Sequence, residues 1–158
     1  MGRTDDSLIA LRRIVRATEL FGREIRQTTG VTASQFRVLQ IIAENGFATA
    51  KTISTRMQVS QGTVTSVVDK LVRDGLALRH KSEQDRRQIN IVLTDAGSKI
   101  LKDAPDPLQQ RFVRKFAAME DWEQAMVVAS LERVAAMLDA KDLDASPILD
   151  TGEIYPQE

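Results

Sequence analysis

No cysteine occurs among the 158 residues, and His80 is the single histidine. The first absence excludes disulfides, thiolate catalysis and cysteine-based metal or redox sensing; the second leaves a histidine-built zinc centre short of ligands. No glycine-rich phosphate loop, nucleophile elbow or metal-spaced set of carboxylates is found, so neither an enzyme nor a cofactor is expected. Apolar runs extend only a few residues, far short of the roughly 20 that span a bilayer, and no charged start leads into an apolar signal core. A soluble cytoplasmic protein with no membrane partner is the expectation. What is there suits a folded domain: 42% of residues are hydrophobic and 28% charged, an ordinary globular mix rather than a disordered one. The length fits one domain, with or without extensions.

Net charge is also absent, but only on average, because 22 Lys and Arg balance 22 Asp and Glu. Residues 1–115 carry every basic side chain except Arg133 and Lys141, for a net of +8, and residues 116–158 hold the compensating −8. Such segregation is what a polyanion-binding module with an acidic end looks like, although solvated helix faces produce similar splits.

Hydrophobic spacing organises the rest. Leu8, Leu11, Ile14, Val15, Phe21 and Ile25 form a helical stripe from Ser7 to about Thr28, with Arg12, Arg13, Arg16, Arg23 and Arg26 on the other face and Gly30 as the stop. Thr32-Ala33-Ser34-Gln35 reads as a capping box opening a second helix, which Asn45-Gly46 ends. Thr49 caps a short helix over Ala50–Met57, and Ser60 caps a fourth lasting to about Asp74. Two helices joined by so short a turn make a helix-turn-helix candidate. Past Gly75 the period changes. Leu76–Lys81 and Gln88–Leu93 suit two strands joined by the polar run Ser82–Arg87, a hairpin that forms a β-wing. Thr94 caps a fifth helix, Pro105 and Pro107 force a break, and a further helix runs near Leu108–Met119. Asp121 to about Ala140 is apolar nearly all round, with Trp122 read as core packing. A helix of that kind must be buried, and a peripheral one hides both sides only against the N-terminal helix and a second subunit. A homodimer is therefore expected.

The order of elements predicts a mainly α fold with a small β-wing: a winged helix-turn-helix core flanked by N- and C-terminal dimerisation helices. The boundaries are 1–30 for the N-terminal dimerisation helix, 31–100 for the DNA-binding domain, 101–140 for the C-terminal dimerisation helices and 141–158 for an extended acidic tail. In the fourth helix Val64, Val67, Val68, Leu71 and Val72 face the core. The opposite side offers Gln61, Gly62, Thr63, Thr65 and Ser66 near its start and Lys70 and Arg73 further along, the arrangement of a helix entering a major groove tip-first. Gln61 can pair with adenine, the hydroxyls can reach bases or phosphates, and Gly62 lets the backbone approach closely. Thr, Ser and Lys are equally ordinary on a solvated face. In the wing, Arg86 and Arg87 stand where guanidiniums can enter a narrow minor groove, and Asp85 can hydrogen-bond one of them and fix its direction. Lys51, Ser60, Lys70, Arg73 and Arg79 complete the set of expected DNA contacts, the cations through phosphates.

Asp85-x-Arg87 followed by Ile91-x-Leu93-Thr94-x-x-Gly97 resembles the wing signature of MarR-type transcriptional regulators. Val59–Thr65 and Leu71–Leu76 resemble that family's recognition helix and its exit, and the likeness covers about residues 8–140. The resemblance implies a repressor or activator that binds a pseudo-palindromic operator in double-stranded DNA as a two-fold dimer. It also implies a possible small-molecule effector, commonly an anionic aromatic held between the dimer helices and the DNA-binding lobe. The competing reading is a winged-helix protein-interaction module without direct DNA readout. Such a module would present an apolar or uncharged recognition surface, whereas this one carries Ser, Thr, Lys and Arg.

Overall fold

The computed structural model of the chain describes residues 2–104 and 108–143, in two compact units that divide between them. The expected break at Pro105 and Pro107, and the acidic tail from residue 144 onward, lie outside the described residues.

The first unit begins with α1 (Arg3–Thr29), followed by α2 (Ala33–Asn45), α3 (Ala50–Met57) and α4 (Gln61–Arg73). Strands β1 (Ala77–Lys81) and β2 (Ile89–Leu93) and helix α5 (Asp95–Asp103) complete it. Helix α1 starts four residues earlier than its apolar stripe indicates, because Asp5 reaches back to accept the Gly2 N–H at 3.1 Å and organises a polar first turn. The other starts are set by the side chains expected to set them. Thr32, Thr49, Ser60 and Thr94 each accept an N–H from the residue three positions on, satisfying donors that the helix itself leaves free. At Thr32 the box is reciprocal, with Gln35 Oε1 accepting the Thr32 N–H at 2.8 Å.

Apolar side chains from α1 to α4 and from both strands meet in one core. Phe21 and Ile25 bring the last third of α1 onto α2, where Val38, Leu39, Ile41 and Ile42 are buried. Ile53 and Met57 enter from α3, Val64, Val67, Val68 and Leu71 from α4, and Ala77 and Ile91 from the strands. Each fully buried Ile, Leu or Val contributes roughly 1.5–3 kcal/mol relative to exposure. Helix α4 is thus held by one apolar face while the opposite face stays in solvent.

The strands pair antiparallel, Ala77 opposite Leu93 through Lys81 opposite Ile89. A third backbone segment joins them. Ala48 exchanges both hydrogen bonds with Ile91, at 3.0 and 2.8 Å, and so ties the α2–α3 loop to the wing. Leu76 and Gln88, read as strand residues, lie just outside the paired strands.

The second unit contains α6 (Leu108–Ala117) and α7 (Asp121–Met137). Gln124 Nε2 donates to the carbonyls of Phe116 and Met119, both at 3.1 Å, which bridges the turn between the two helices. Both helices end two or three residues before the apolar pattern does. The expected burial of α7 is not met in the single chain: it has no buried residue, and Trp122, read as core packing, is 65% exposed. Composition makes a helix apolar on all sides, but it does not by itself supply the partner that buries it.

Candidate nucleic-acid interface

Three short connections build the site. Between α3 and α4 the chain turns at Gln58, whose φ of 54° lies in the left-handed region. The Val59 N–H donates to Ser54 O at 3.2 Å, and the Ser54 hydroxyl donates to Val59 O at 2.6 Å, closing the turn from both sides. Buried Val59 anchors it. Helix α3 is braced from behind by the Arg56–Glu44 ion pair with α2. The hydrogen bond from Arg56 holds the Glu44 carboxyl below its ordinary pKa, and Glu44 in turn raises that of Arg56. Neighbouring Arg37 is lowered by burial, with Arg56 adding to the effect.

Helix α4 ends in a hydrogen-bonded reversal. Leu76 N–H donates to Leu71 O at 2.9 Å and Gly75 N–H to Val72 O at 3.1 Å, with Gly75 at φ 74°, where an L side chain is strained. The returning chain locks onto this exit. Thr94 N–H donates to Leu76 O at 3.1 Å and the Thr94 hydroxyl to Gly75 O at 2.7 Å. Gly97 lies so near that a Cβ there would sit 2.2 Å from Leu76 O. This junction joins the base of the wing to the end of α4.

Along α4 the exposed positions are Gln61, Gly62, Thr65, Ser66, Asp69 and Arg73, one continuous face, with Thr63 and Lys70 half-buried at its borders. The hydroxyls on it are not equally available. Ser60 and Thr63 are engaged with each other at 2.9 Å and with the helix start, and Thr65 donates its proton to Gln61 O at 2.9 Å. Gln61 and Ser66 have no hydrogen bond from their side chains among the described residues. Of the two kinds of group expected to read bases, those two are the ones left open.

The expected cations divide in the same way. Lys51, Lys70, Arg73, Arg86 and Arg87 make no ion pair among the described residues. Arg79 does: its Nη2 lies 2.5 Å from Asp69 Oδ1, so the wing strand is tied to α4 and both charges are partly neutralised. Residues on separate elements carry no sequence signal of such a pair.

At the wing tip the Gln88 N–H donates to Asp85 O at 2.9 Å, which makes Asp85–Gln88 a β-turn with Arg86 and Arg87 at its two corners. Asp85 does hydrogen-bond Arg87, but through the backbone. Its Oδ1 accepts the Arg87 N–H at 3.0 Å, as an acid at the first position of a turn commonly does, and not a guanidinium. Both arginine heads are left exposed.

This geometry belongs with known proteins. The model of the MarR family matches residues 31–89, the stretch from the start of α2 through the wing tip. The HTH-type transcriptional regulator YsmB of Bacillus subtilis is 30% identical over 125 residues, covering 79% of this chain and 86% of the relative. The chain belongs to the MarR family. Its members are transcriptional regulators and not enzymes. The homoprotocatechuate degradative operon repressor of Escherichia coli is 24% identical over 89% of this chain and 95% of its own length. Among solved structures, a MepR-like protein complexed with pseudoligands superposes with a TM-score of 0.61 at 25% identity, covering 87% of this chain and 97% of that one. The MarR fold is accordingly the fold of this chain.

Proposed function

We propose that this MarR-family regulator acts as a homodimeric repressor that lays two α4 helices into successive major grooves of a pseudo-palindromic operator. The observation that carries the reading is the two-sidedness of α4. Val64, Val67, Val68 and Leu71 are buried, and the opposite face presents Gln61, Gly62, Thr65 and Ser66 beside a wing turn bearing two exposed arginines. Gln61 and Ser66 address base edges, Gly62 admits close backbone approach, and Ser60 and Thr63 hold the helix end that meets the backbone. Lys51, Lys70, Arg73, Arg86 and Arg87 neutralise phosphates or the minor groove; Arg79 does so only in part, since Asp69 shares it.

Dimerisation is supported by apolar surface that each unit leaves open. Leu8, Ile14, Val15 and Leu20 are exposed on α1, and Trp122, Met126, Leu131 and Met137 on α7. Exposure on that scale marks association surfaces. Residues 1–30 and 101–140 are assigned to that role and 31–100 to DNA. No described helix is long and apolar enough to cross a membrane, in keeping with a cytoplasmic regulator. That one relative is named for a homoprotocatechuate degradative operon and a structural neighbour is complexed with pseudoligands favours a small-molecule effector.

Selection of bound duplexes from a random pool, followed by sedimentation of the complex, tests the proposal. Enrichment of a pseudo-palindrome bound by two chains is expected. Failure to enrich any sequence, with capture of a protein partner instead, would replace it with the protein-interaction reading.

A further inference from the structure

We infer that Ser82 is a positioning residue for operator binding: its hydroxyl builds the turn from which Arg86 and Arg87 reach DNA. The inference rests on the wing reading above and extends it to a residue that bears no charge and contacts no nucleic acid in that reading.

The tip from Ser82 to Gln88 is held by side chains bonding to backbone, in series. The Ser82 hydroxyl oxygen accepts the N–H groups of Gln84 and Asp85, at 3.2 and 3.3 Å. That places Asp85 at the head of the β-turn, where its carboxylate accepts the Arg87 N–H at 3.0 Å and its carbonyl accepts the Gln88 N–H at 2.9 Å. Ser82 N–H donates to Gln88 O at 2.9 Å and closes the loop onto the strands. Every residue of the tip except Ser82 and Gln88 is exposed, so no apolar packing fixes its shape. Without the serine hydroxyl, two backbone donors return to water and the turn loses its first link. The arginines keep their charge but no longer start from one arrangement, and ordering them is then charged against binding. The same logic explains an acid next to a phosphate-binding tip: Asp85 shapes the backbone rather than pairing with a guanidinium.

The test is a double-mutant cycle on operator affinity in the full chain at fixed salt, with Ser82→Ala and the pair Arg86→Ala/Arg87→Ala. Ser82→Ala is expected to weaken binding by about five- to tenfold where the arginines are present, the scale of ordering one or two long side chains. It is expected to change nothing in the background that lacks them. Ser82→Thr, which keeps the hydroxyl, should restore affinity. In the free protein the Gln84 and Asp85 amides should exchange faster in Ser82→Ala, while core amides are unchanged. Equal loss in both backgrounds, or no loss with the arginines present, overturns the positioning role. If instead removing both arginines leaves affinity unchanged, the wing reading fails first, and that outcome is recognisable by itself.

Discussion

Replacing Gly97 by alanine sets two physical effects against each other, and the geometry says which wins. Helix propensity favours alanine over glycine by roughly 1 kcal/mol inside a helix. Yet the new Cβ would lie 2.2 Å from Leu76 O and 3.2 Å from Leu76 C, both backbone atoms that have no rotamer to escape into. The start of α5 must recede by about 1 Å, since non-bonded carbon contacts settle near 3.5 Å. That movement stretches the Thr94 N–H bond to Leu76 O and the Thr94 hydroxyl bond to Gly75 O, now 3.1 and 2.7 Å. With each such bond worth about 0.5–1.5 kcal/mol and the cap about 1, the loss is about 2–4 kcal/mol, or about 1–3 kcal/mol once the propensity gain is subtracted. For a chain of this size the melting midpoint should fall by roughly 2–12 °C. Thermal unfolding followed by far-UV circular dichroism measures it. A midpoint that stays put or rises would mean that propensity rules and that the packing of α5 on the α4 exit is looser than described.

Other expectations are smaller. Gln58 adopts a left-handed conformation, so Gln58→Gly should be neutral or stabilise by up to about 1 kcal/mol and Gln58→Val should destabilise by more than that, read from urea midpoints. Arg56 holds Glu44 below its ordinary pKa, so the pair's contribution is present above the unfolded carboxyl value of about 4.3 and is lost as pH falls through the lower folded value. The site is half-exposed, so Glu44→Gln should cost only about 0.5 kcal/mol at pH 7, and the difference should shrink as melts are taken to acid pH. Arg87→Ala should weaken operator binding by about 1–3 kcal/mol and flatten the salt dependence by about one phosphate per wing, without altering the melting curve. Titrations at several salt concentrations decide it; an unchanged slope would place Arg87 away from DNA.

The features legible in the sequence are those whose cause is local. Thr32, Thr49, Ser60 and Thr94 start helices because a side chain three residues from its partner is sufficient, and the α4 stripe is visible because its period is that of the helix. What is not legible depends either on distant partners or on which nearby group a short polar side chain finds. The bridge from Ala48 to Ile91 occupies a single residue pair and leaves no alternation to detect. The Asp69–Arg79 pair joins two elements, and nothing in either segment announces it. Asp85 was expected to direct a guanidinium, but an acid opening a turn finds a backbone N–H nearer than a mobile side-chain head. Ser82 lies in a polar run, where composition does not distinguish a solvated hydroxyl from one that holds two amides. Helix α7 shows the opposite limit: its apolar character is plain in the sequence, but none of its residues is buried among the described residues.

Hydroxyl-radical cleavage of a selected operator, with and without the full chain, tests the central claim most directly. Two symmetric protected regions are expected, their centres one helical turn of about 10–10.5 base pairs apart or a multiple of it, with outer minor-groove protection that disappears in Arg86→Ala/Arg87→Ala. A single asymmetric patch, or outer protection that survives loss of both arginines, would contradict it.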